Sequence, residues 1–201
     1  AQTESWNGTS WTEVNDLNTG KNLRGGCGTQ PAALAFGGEP VTANTESWNG
    51  TSWTEVADLS SSRAGVGGSG TQDLGLSSGG NNSGALSLTE EWSQNQPVGA
   101  WSTVNSINTA RSGIGGAGAS TSAAIVFGGN TGSVSADTES YNGTNWTEVN
   151  NLNTARDAVA GNGTATSGLC YAGYVAPNNQ AVTESWNGTS WTEVNDMNTA
   201  R

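Results

Sequence analysis

A twelve-residue string that recurs almost unchanged dominates this sequence. TESWNGTSWTEV occurs at residues 3–14, 45–56 and 183–194, and two degenerate copies, TEEWSQNQPVGAWSTV at 89–104 and TESYNGTNWTEV at 138–149, make five in all. The second tryptophan of each copy recurs at intervals of 42, 48, 45 and 45 residues, a period typical of propeller blades rather than of shorter solenoid repeats. These tryptophans are Trp11, Trp53, Trp101, Trp146 and Trp191.

Each copy belongs to a longer unit with a constant order of features. Ten residues after the second tryptophan comes a basic residue, and a glycine-rich stretch follows it, as at 65–70 and 113–119. An apolar run ending in two glycines comes next, at 32–38, 74–80 and 123–129, whereas the fourth copy, at 169–174, has the single glycine Gly173, followed by Tyr174. The basic residues are Lys21, Arg63, Arg111, Arg156 and Arg201.

This order predicts four short strands in each unit. The glycine-rich stretch forms the first strand, where small side chains suit a crowded position near a central axis, and the apolar run forms the second. T-E-S-W and S-W-T-E-V form the third and fourth strands, joined by Asn-Gly, which predicts a type I′ turn with positive φ at both central residues. In the copy at 89–104, a longer loop at 93–100 replaces the Asn-Gly pair. The pairs in the other copies are Asn7-Gly8, Asn49-Gly50, Asn142-Gly143 and Asn187-Gly188.

We therefore predict an all-β fold, a β-propeller of four-stranded blades, with another stacked β-repeat as the alternative. The chain is one repeat domain, residues 1–201, with units at roughly 1–21, 22–63, 64–111, 112–156 and 157–201. It supplies four complete blades and an N-terminal half blade. The hairpin of third and fourth strands occurs five times, whereas the hairpin of first and second strands occurs four times. We expect a five-blade type of ring, which would need a further hairpin of first and second strands from outside these residues or from a second chain. Self-association through the incomplete blade edges is therefore expected.

The unit resembles the Kelch repeat. An apolar run closing in Gly-Gly, a glutamate-containing strand ending in an aromatic residue, a tryptophan and a basic residue about ten positions later all match that family. Trp-Asn or Tyr-Asn stands where Kelch repeats usually carry Tyr-Asp. The near-identical copies are also similar to repeat arrays of marine bacteriophage virion and tail-associated proteins. These resemblances imply a propeller fold and a place on an extracellular or virion surface.

Composition argues against several kinds of function. The net charge is −11 with only six basic residues, which disfavours nucleic acid and anionic membranes as partners. No run approaches the roughly 20 apolar residues of a spanning helix, so membrane insertion is not expected. The chain has no histidine, no P-loop and no acidic calcium loop, so we predict no enzyme, no catalytic residue, no metal ligand and no cofactor. Cys27 and Cys170 occupy non-equivalent positions and are interpreted as free thiols.

The repeated residues have structural and functional interpretations that both fit the pattern. We expect each basic residue to bridge neighbouring blades. The alternative is that the basic residues form a ring around a channel and hold an anion there. The tryptophans fill the wedge between blades, or they form sugar-stacking platforms. The glutamates form two series, which we expect to be structural or solvated. The first comprises Glu4, Glu46, Glu90, Glu139 and Glu184, and the second Glu13, Glu55, Glu148 and Glu193.

The segments that differ between units carry the functional prediction, because loops on a rigid frame concentrate binding residues. The connections between second and third strands, at 39–44, 81–86, 130–137 and 175–181, should share one face with the connections between blades. We expect a surface module that binds a cell-surface glycan or protein. The alternative is a structural array that decorates or extends a fibre. An enzyme built on non-repeated acids such as Asp73, Glu91 and Asp157 is the third hypothesis.

Overall fold

The computed structural model describes residues 2–95 and 99–201, which contain strands and no helix. The strands are β1 (Thr3–Trp6), β2 (Trp11–Val14), β3 (Gly25–Thr29), β4 (Ala32–Phe36), β5 (Thr45–Trp48), β6 (Trp53–Val56), β7 (Gly67–Gly70), β8 (Leu74–Ser78), β9 (Thr89–Ser93), β10 (Ala100–Val104), β11 (Gly115–Ser120), β12 (Ala123–Phe127), β13 (Thr138–Tyr141), β14 (Trp146–Val149), β15 (Ala160–Thr164), β16 (Ser167–Tyr171), β17 (Tyr174–Val175), β18 (Asn178–Asn179), β19 (Thr183–Trp186) and β20 (Trp191–Val194).

These strands form four antiparallel sheets of four strands each, as predicted. Blade 1 is β3–β4–β5–β6, blade 2 is β7–β8–β9–β10, blade 3 is β11–β12–β13–β14 and blade 4 is β15–β16–β19–β20. In each blade the first two strands form the inner hairpin and the last two the outer hairpin. The two-stranded sheet β1–β2 is the predicted N-terminal half blade, and β17–β18 is a small hairpin between the second and third strands of blade 4.

The first strands of the blades follow one another around a common axis. A hydrogen-bonded chain links their starts, in which Gly65 N–H donates to Leu23 O at 2.9 Å, Gly113 N–H to Gly65 O at 2.8 Å and Val159 N–H to Gly113 O at 3.4 Å. A Cβ on Gly116 would lie only 2.6 Å from the carbonyl oxygen of Gly68 in the neighbouring blade. This close approach explains why the innermost strands are rich in glycine.

The hydrophobic core is divided into clusters that lie between successive blades. Leu34 and Phe36 of blade 1 pack with Val66 and Trp92 of blade 2. The next two clusters repeat this arrangement between blades 2 and 3 and between blades 3 and 4. A chain with few apolar residues is therefore stabilised by several small interfaces rather than by one wide core.

The turns between third and fourth strands differ from the predicted type I′ geometry. Trp6 pairs with Trp11, so the connection contains four residues rather than two. The left-handed position is Gly8, with φ of 94°, while the side-chain carbonyl of Asn7 accepts hydrogen bonds from the N–H groups of Thr9 and Ser10, both at 2.9 Å. The asparagine thus acts as an Asx-turn acceptor. Residues 96–98 of the lengthened loop at 93–100 lie outside the described residues.

Candidate functional site

The repeated arginines bridge successive blades. Arg63 is fully buried, and its Nη2 donates to Glu90 Oε1 at 2.8 Å. Its backbone is held by blade 1, since its N–H donates to Thr42 O and its carbonyl accepts from Gly38 N–H, both at 3.0 Å. The same ion pair recurs as Arg111–Glu139 at 2.7 Å and Arg156–Glu184 at 2.6 Å. These three arginines therefore serve the frame and not an anion channel.

The first and last basic residues depart from this pattern. Arg24, not the predicted Lys21, contacts Glu46, with Nη2 lying 3.3 Å from Oε1. Counting from the repeated glycines, Arg24 occupies the position of the β-branched residues Val66, Ile114 and Val159, and its long side chain reaches the carboxylate from there. Arg201, at the end of unit five, is exposed.

In the four complete blades, the two glutamate series differ in burial. Glu46, Glu90, Glu139 and Glu184 are buried and accept hydrogen bonds from the connection that precedes their blade as well as from an arginine. For example, Glu139 Oε2 accepts from Asn108 N–H at 2.6 Å. The second series is exposed on the outermost strands. The structural and solvated roles predicted for these carboxylates are confirmed in the complete blades.

The tryptophans of the complete blades are used mainly in packing. Trp191 is buried, its ring lies 4.9 Å from that of Phe127 in blade 3, and its indole N–H donates to Thr138 Oγ1 at 3.0 Å. Trp101 makes the equivalent contacts with Phe36 and Thr45 of blade 1. The packing interpretation is therefore confirmed at these interfaces, whereas Trp6 and Trp11 of the half blade are exposed.

Both cysteines are free thiols, as interpreted from the sequence. Cys170 is buried beside Arg156, whose Nη2 lies 3.2 Å from the sulfur, and Cys27 is half-buried. Burial raises the pKa of each thiol to about 12. The raised pKa keeps both thiols protonated and poorly nucleophilic near neutral pH.

One face of the ring carries both kinds of variable connection, as predicted. Leu59 and Arg63, which follow blade 1, donate their N–H groups to the carbonyls of Ala43 and Thr42, at 3.0 Å each. Equivalent bonds join the two connections in blades 2, 3 and 4. We call this surface the loop face. It is formed by the blade-to-blade connections and by residues 39–44, 81–86, 130–137 and 175–181.

A pocket with both polar and apolar lining opens on the loop face at the axis of the ring. Its cavity volume is about 180 Å³, and its lining includes residues just before the first strand of each of the four blades. The polar side chains around it vary between units more than those of the frame: Ser112 and Asp157 align with Ala64, and Glu39 aligns with Asn81. We call it the axial pocket; its lining is Leu23, Glu39, Ala64, Gly65, Asn81, Ser112, Gly113, Asp157 and Ala158.

Asp157 is the most distinctive group of the axial pocket. Its Oδ2 accepts a hydrogen bond from Asn130 Nδ2 at 2.8 Å, while its Oδ1 is buried without a hydrogen-bond partner among the described residues. This buried oxygen gains a hydrogen bond when a ligand brings a hydroxyl or a cationic group into the axial pocket. The carboxylate is therefore the group best placed to select a ligand with hydrogen-bond donors.

Leu23 and Ala158 line the pocket in an unfavourable backbone conformation. Their φ values are 50° and 49°, in the left-handed region, at the position where the other two units carry Gly65 and Gly113. Left-handed backbone costs a residue with a Cβ roughly 1–2 kcal/mol. Such strain tends to accumulate at functional sites. The sequence carried this signal, because these two residues align with glycines, but we did not predict it.

The three non-repeated acids considered for an enzyme do not come together. Asp157 lines the axial pocket, Asp73 lies in the turn of the inner hairpin of blade 2, and Glu91 lies on β9, where it accepts a hydrogen bond from Tyr141 at 3.2 Å. Within residues 2–95 and 99–201, no three His, Cys, Asp or Glu side chains are grouped as a metal site would require.

The fold and this face define the class of the protein as a β-propeller with four complete blades, an architecture consistent with a binding or scaffold module. In comparisons with known proteins, no protein-family model and no curated protein matches the chain. The part of the chain that the structure describes contains no helix long and apolar enough to span a membrane.

Proposed function

We propose that this chain is a non-catalytic recognition module that binds a glycan or a protein of a cell surface through its loop face. The extracellular or virion-surface setting rests on the resemblance of the repeats alone. The supporting observation for binding is that the frame uses the repeated arginines, glutamates and tryptophans, while the axial pocket presents side chains that differ between units.

The chemistry of the axial pocket favours a ligand rich in hydrogen-bond donors. Glu39, Asn81 and Asp157 offer carboxylate and amide oxygens, which accept hydrogen bonds from hydroxyl or amino groups. Leu23, with 58% of its surface exposed, adds an apolar patch at the rim. A few placed polar groups beside an apolar surface are typical of small-ligand sites, and a sugar offers both a hydroxyl edge and a C–H face.

A glycan array probed with the labelled chain, followed by calorimetry with the best ligand, tests this proposal. Asp157→Asn removes the negative charge and should weaken binding at least about tenfold, since a hydrogen bond to a charged group is worth about 1.5–3 kcal/mol. Glu148→Gln is the matched control, because it makes the same chemical change on an exposed outer strand and should leave affinity unchanged.

The rival function is a structural array that decorates or extends a fibre. The near-identity of the repeats favours it, because an array needs interfaces but no ligand-specific loops. If arrays of glycans and of surface proteins give no ligand, or if Asp157→Asn and Glu148→Gln behave alike, recognition through the axial pocket is wrong and the structural array takes its place.

A further inference from the structure

Residues whose counterparts in the rest of the ring are buried or half-buried are exposed at its two ends. Leu169 of blade 4 is 39% exposed, whereas the residues in its position in blades 1–3, Leu34, Leu76 and Ile125, are exposed by at most 1%. In the half blade, Trp6 is 42% exposed and Trp11 64%. We use the name seam for two surfaces together. One is the half blade, and the other is the side of blade 4 that faces away from blade 3.

The exposed apolar residues of the seam correspond to partners at the closed interfaces. Leu34 of blade 1 lies in one cluster with Trp92 of blade 2, and Ile125 of blade 3 lies in one cluster with Trp186 of blade 4. Each aromatic partner stands at the same position of the repeated string as Trp6 does in the half blade. Leu169 and Trp6 are therefore the two halves of a fourth cluster that has not formed.

The charges at the seam match in the same way. The N–H of Arg201 donates to Gln180 O at 3.3 Å and its carbonyl accepts from Gly173 N–H at 3.1 Å, so blade 4 holds its backbone as the other blades hold Arg63, Arg111 and Arg156. Its side chain is exposed, and Glu4, the counterpart of the buried glutamates, is exposed on the half blade. The seam thus carries the carboxylate of Glu4 and the guanidinium of Arg201, the two groups needed for a fifth inter-blade ion pair.

The component that would complete the seam is specified by the other blades. In blades 1–4 the third strand pairs with the second strand of an inner hairpin, whereas β1 pairs, among the described residues, with β2 alone. Trp48 and Trp186 donate their indole N–H groups to carbonyls in the turn of their own inner hairpin, those of Gln30 and Ala165, at 2.9 and 3.0 Å. The closed clusters also each include a β-branched residue from an inner hairpin, namely Val66, Ile114 or Val159.

We propose that the seam is a docking site for an inner-type β-hairpin from outside residues 1–201. Its first strand is glycine-rich and preceded by a β-branched residue, and its second strand is apolar and ends in two glycines. The hairpin adds to the open edge of β1 by strand pairing and buries Trp6, Leu169 and the Glu4–Arg201 pair. The four inner hairpins within residues 1–201 are engaged in their own blades, so a second copy of these residues could supply one only by opening a blade.

The site is independent of the axial pocket, so it is tested without the ligand of the loop face. The probe is a synthetic, fluorescein-labelled peptide with the sequence of residues 112–130, which spans one inner hairpin of this chain. Sedimentation velocity measures whether the labelled peptide moves with the full chain and in what ratio. A peptide with Asp at the position of Ile125 is the control for non-specific association.

Two substitutions that change the charge by the same amount distinguish docking at the seam from a general electrostatic effect. Glu4→Lys opposes Arg201 and should weaken peptide binding at least about tenfold, because it leaves like charges buried together. Glu13→Lys lies directly across the strand pair from Glu4, in the series that is exposed in every blade, and should leave affinity unchanged. The exchange Glu4→Arg with Arg201→Glu restores the opposite charges and should restore binding.

A one-to-one complex with these three responses supports the proposal. It is overturned if the peptide does not bind, if the Asp-containing control peptide binds equally well, or if Glu4→Lys and Glu13→Lys have the same effect. Dimers of the chain that form without peptide and are broken by Glu4→Lys would also overturn it, since a second copy would then be the occupant.

Discussion

Two tryptophans in identical twelve-residue strings have opposite surroundings. Trp191 is 5% exposed and packs on blade 3, whereas Trp11 is 64% exposed. Both rings contact the first tryptophan of their own hairpin, at centroid distances of 5.3 Å for Trp186–Trp191 and 5.4 Å for Trp6–Trp11. The difference therefore comes from the preceding blade and not from the local sequence.

We predict that Trp191→Ala lowers the free energy of unfolding by about 3–5 kcal/mol, the usual cost of truncating a buried aromatic residue. Trp11→Ala should cost less than about 1 kcal/mol, because an exposed side chain loses little packing when it is truncated. Urea denaturation of the two variants and the wild type measures both values. Equal losses would contradict the assignment of these tryptophans to inter-blade packing.

Three buried groups make stability depend on alkaline pH. Burial raises the pKa of Cys27 and Cys170 from 9.0 to about 12, and burial followed by the charge of Glu91 raises that of Tyr141 from 10.0 to about 12. Each group keeps its proton in the folded state after the unfolded chain has released it. Stability is therefore fully present below pH 9 and falls as pH rises toward the folded pKa values.

We predict a fall in the urea midpoint above pH 9, at about 1 kcal/mol of unfolding free energy per pH unit for each thiol once the unfolded thiol is ionised. The double variant Cys27→Ala, Cys170→Ala should remove the loss between pH 9 and 10, and Tyr141 should still produce one above pH 10. A wild-type midpoint that is constant from pH 8 to 11 would contradict the burial of these groups.

At the scale of the elements, the blade-to-blade connection is the part that holds neighbouring sheets together. The connection before blade 3 places Asn108 and Thr109 N–H groups and the Arg111 guanidinium around one buried carboxylate, that of Glu139. A buried carboxylate is tolerated only when it is paired and hydrogen-bonded, so the connection and the third strand depend on each other.

We predict that Arg111→Met lowers the free energy of unfolding by about 3–5 kcal/mol, because Glu139 is left buried without its cation. Arg201→Met, the same change at the equivalent residue of the last unit, should leave stability unchanged, since that side chain is exposed. Neither variant should alter affinity for a ligand of the loop face. If Arg111→Met kept full stability but lost ligand binding, the basic residues would be functional rather than structural.

Much of the architecture was predictable because the repeat fixes both the strand pattern and its period. The hairpin positions, the blade order and the bridging role of Arg63, Arg111 and Arg156 followed from residues that recur, whereas the pattern did not show which glutamate series would be buried. The type I′ turn was wrong because the carboxamide of Asn7 caps a longer loop, a choice that depends on Thr9 and Ser10 as much as on Asn-Gly.

The axial pocket could not be predicted in the same way. Its lining comes from residues far apart in the chain, such as Leu23, Ser112 and Asp157, which meet only because the blades surround one axis. No local pattern marks such a set. Its one sequence signal was the pair Leu23 and Ala158, which stand where the other units need glycine.

At the scale of the whole molecule, the ring is a row of similar units whose interfaces differ only at the ends. Blades 2 and 3 have a complete blade on both sides, whereas the half blade and blade 4 border the seam. In repeat proteins stability is approximately a sum of unit and neighbour terms, so protection should be highest in the middle and lowest at the ends.

Hydrogen–deuterium exchange of the chain alone, followed peptide by peptide, tests this account most directly. We predict slow exchange in β11–β13 of blade 3, faster exchange in β19–β20, and the fastest in β1–β2, whose inner edge is open. Protection of β1–β2 equal to that of blade 3 would contradict the account, because the seam would then be closed.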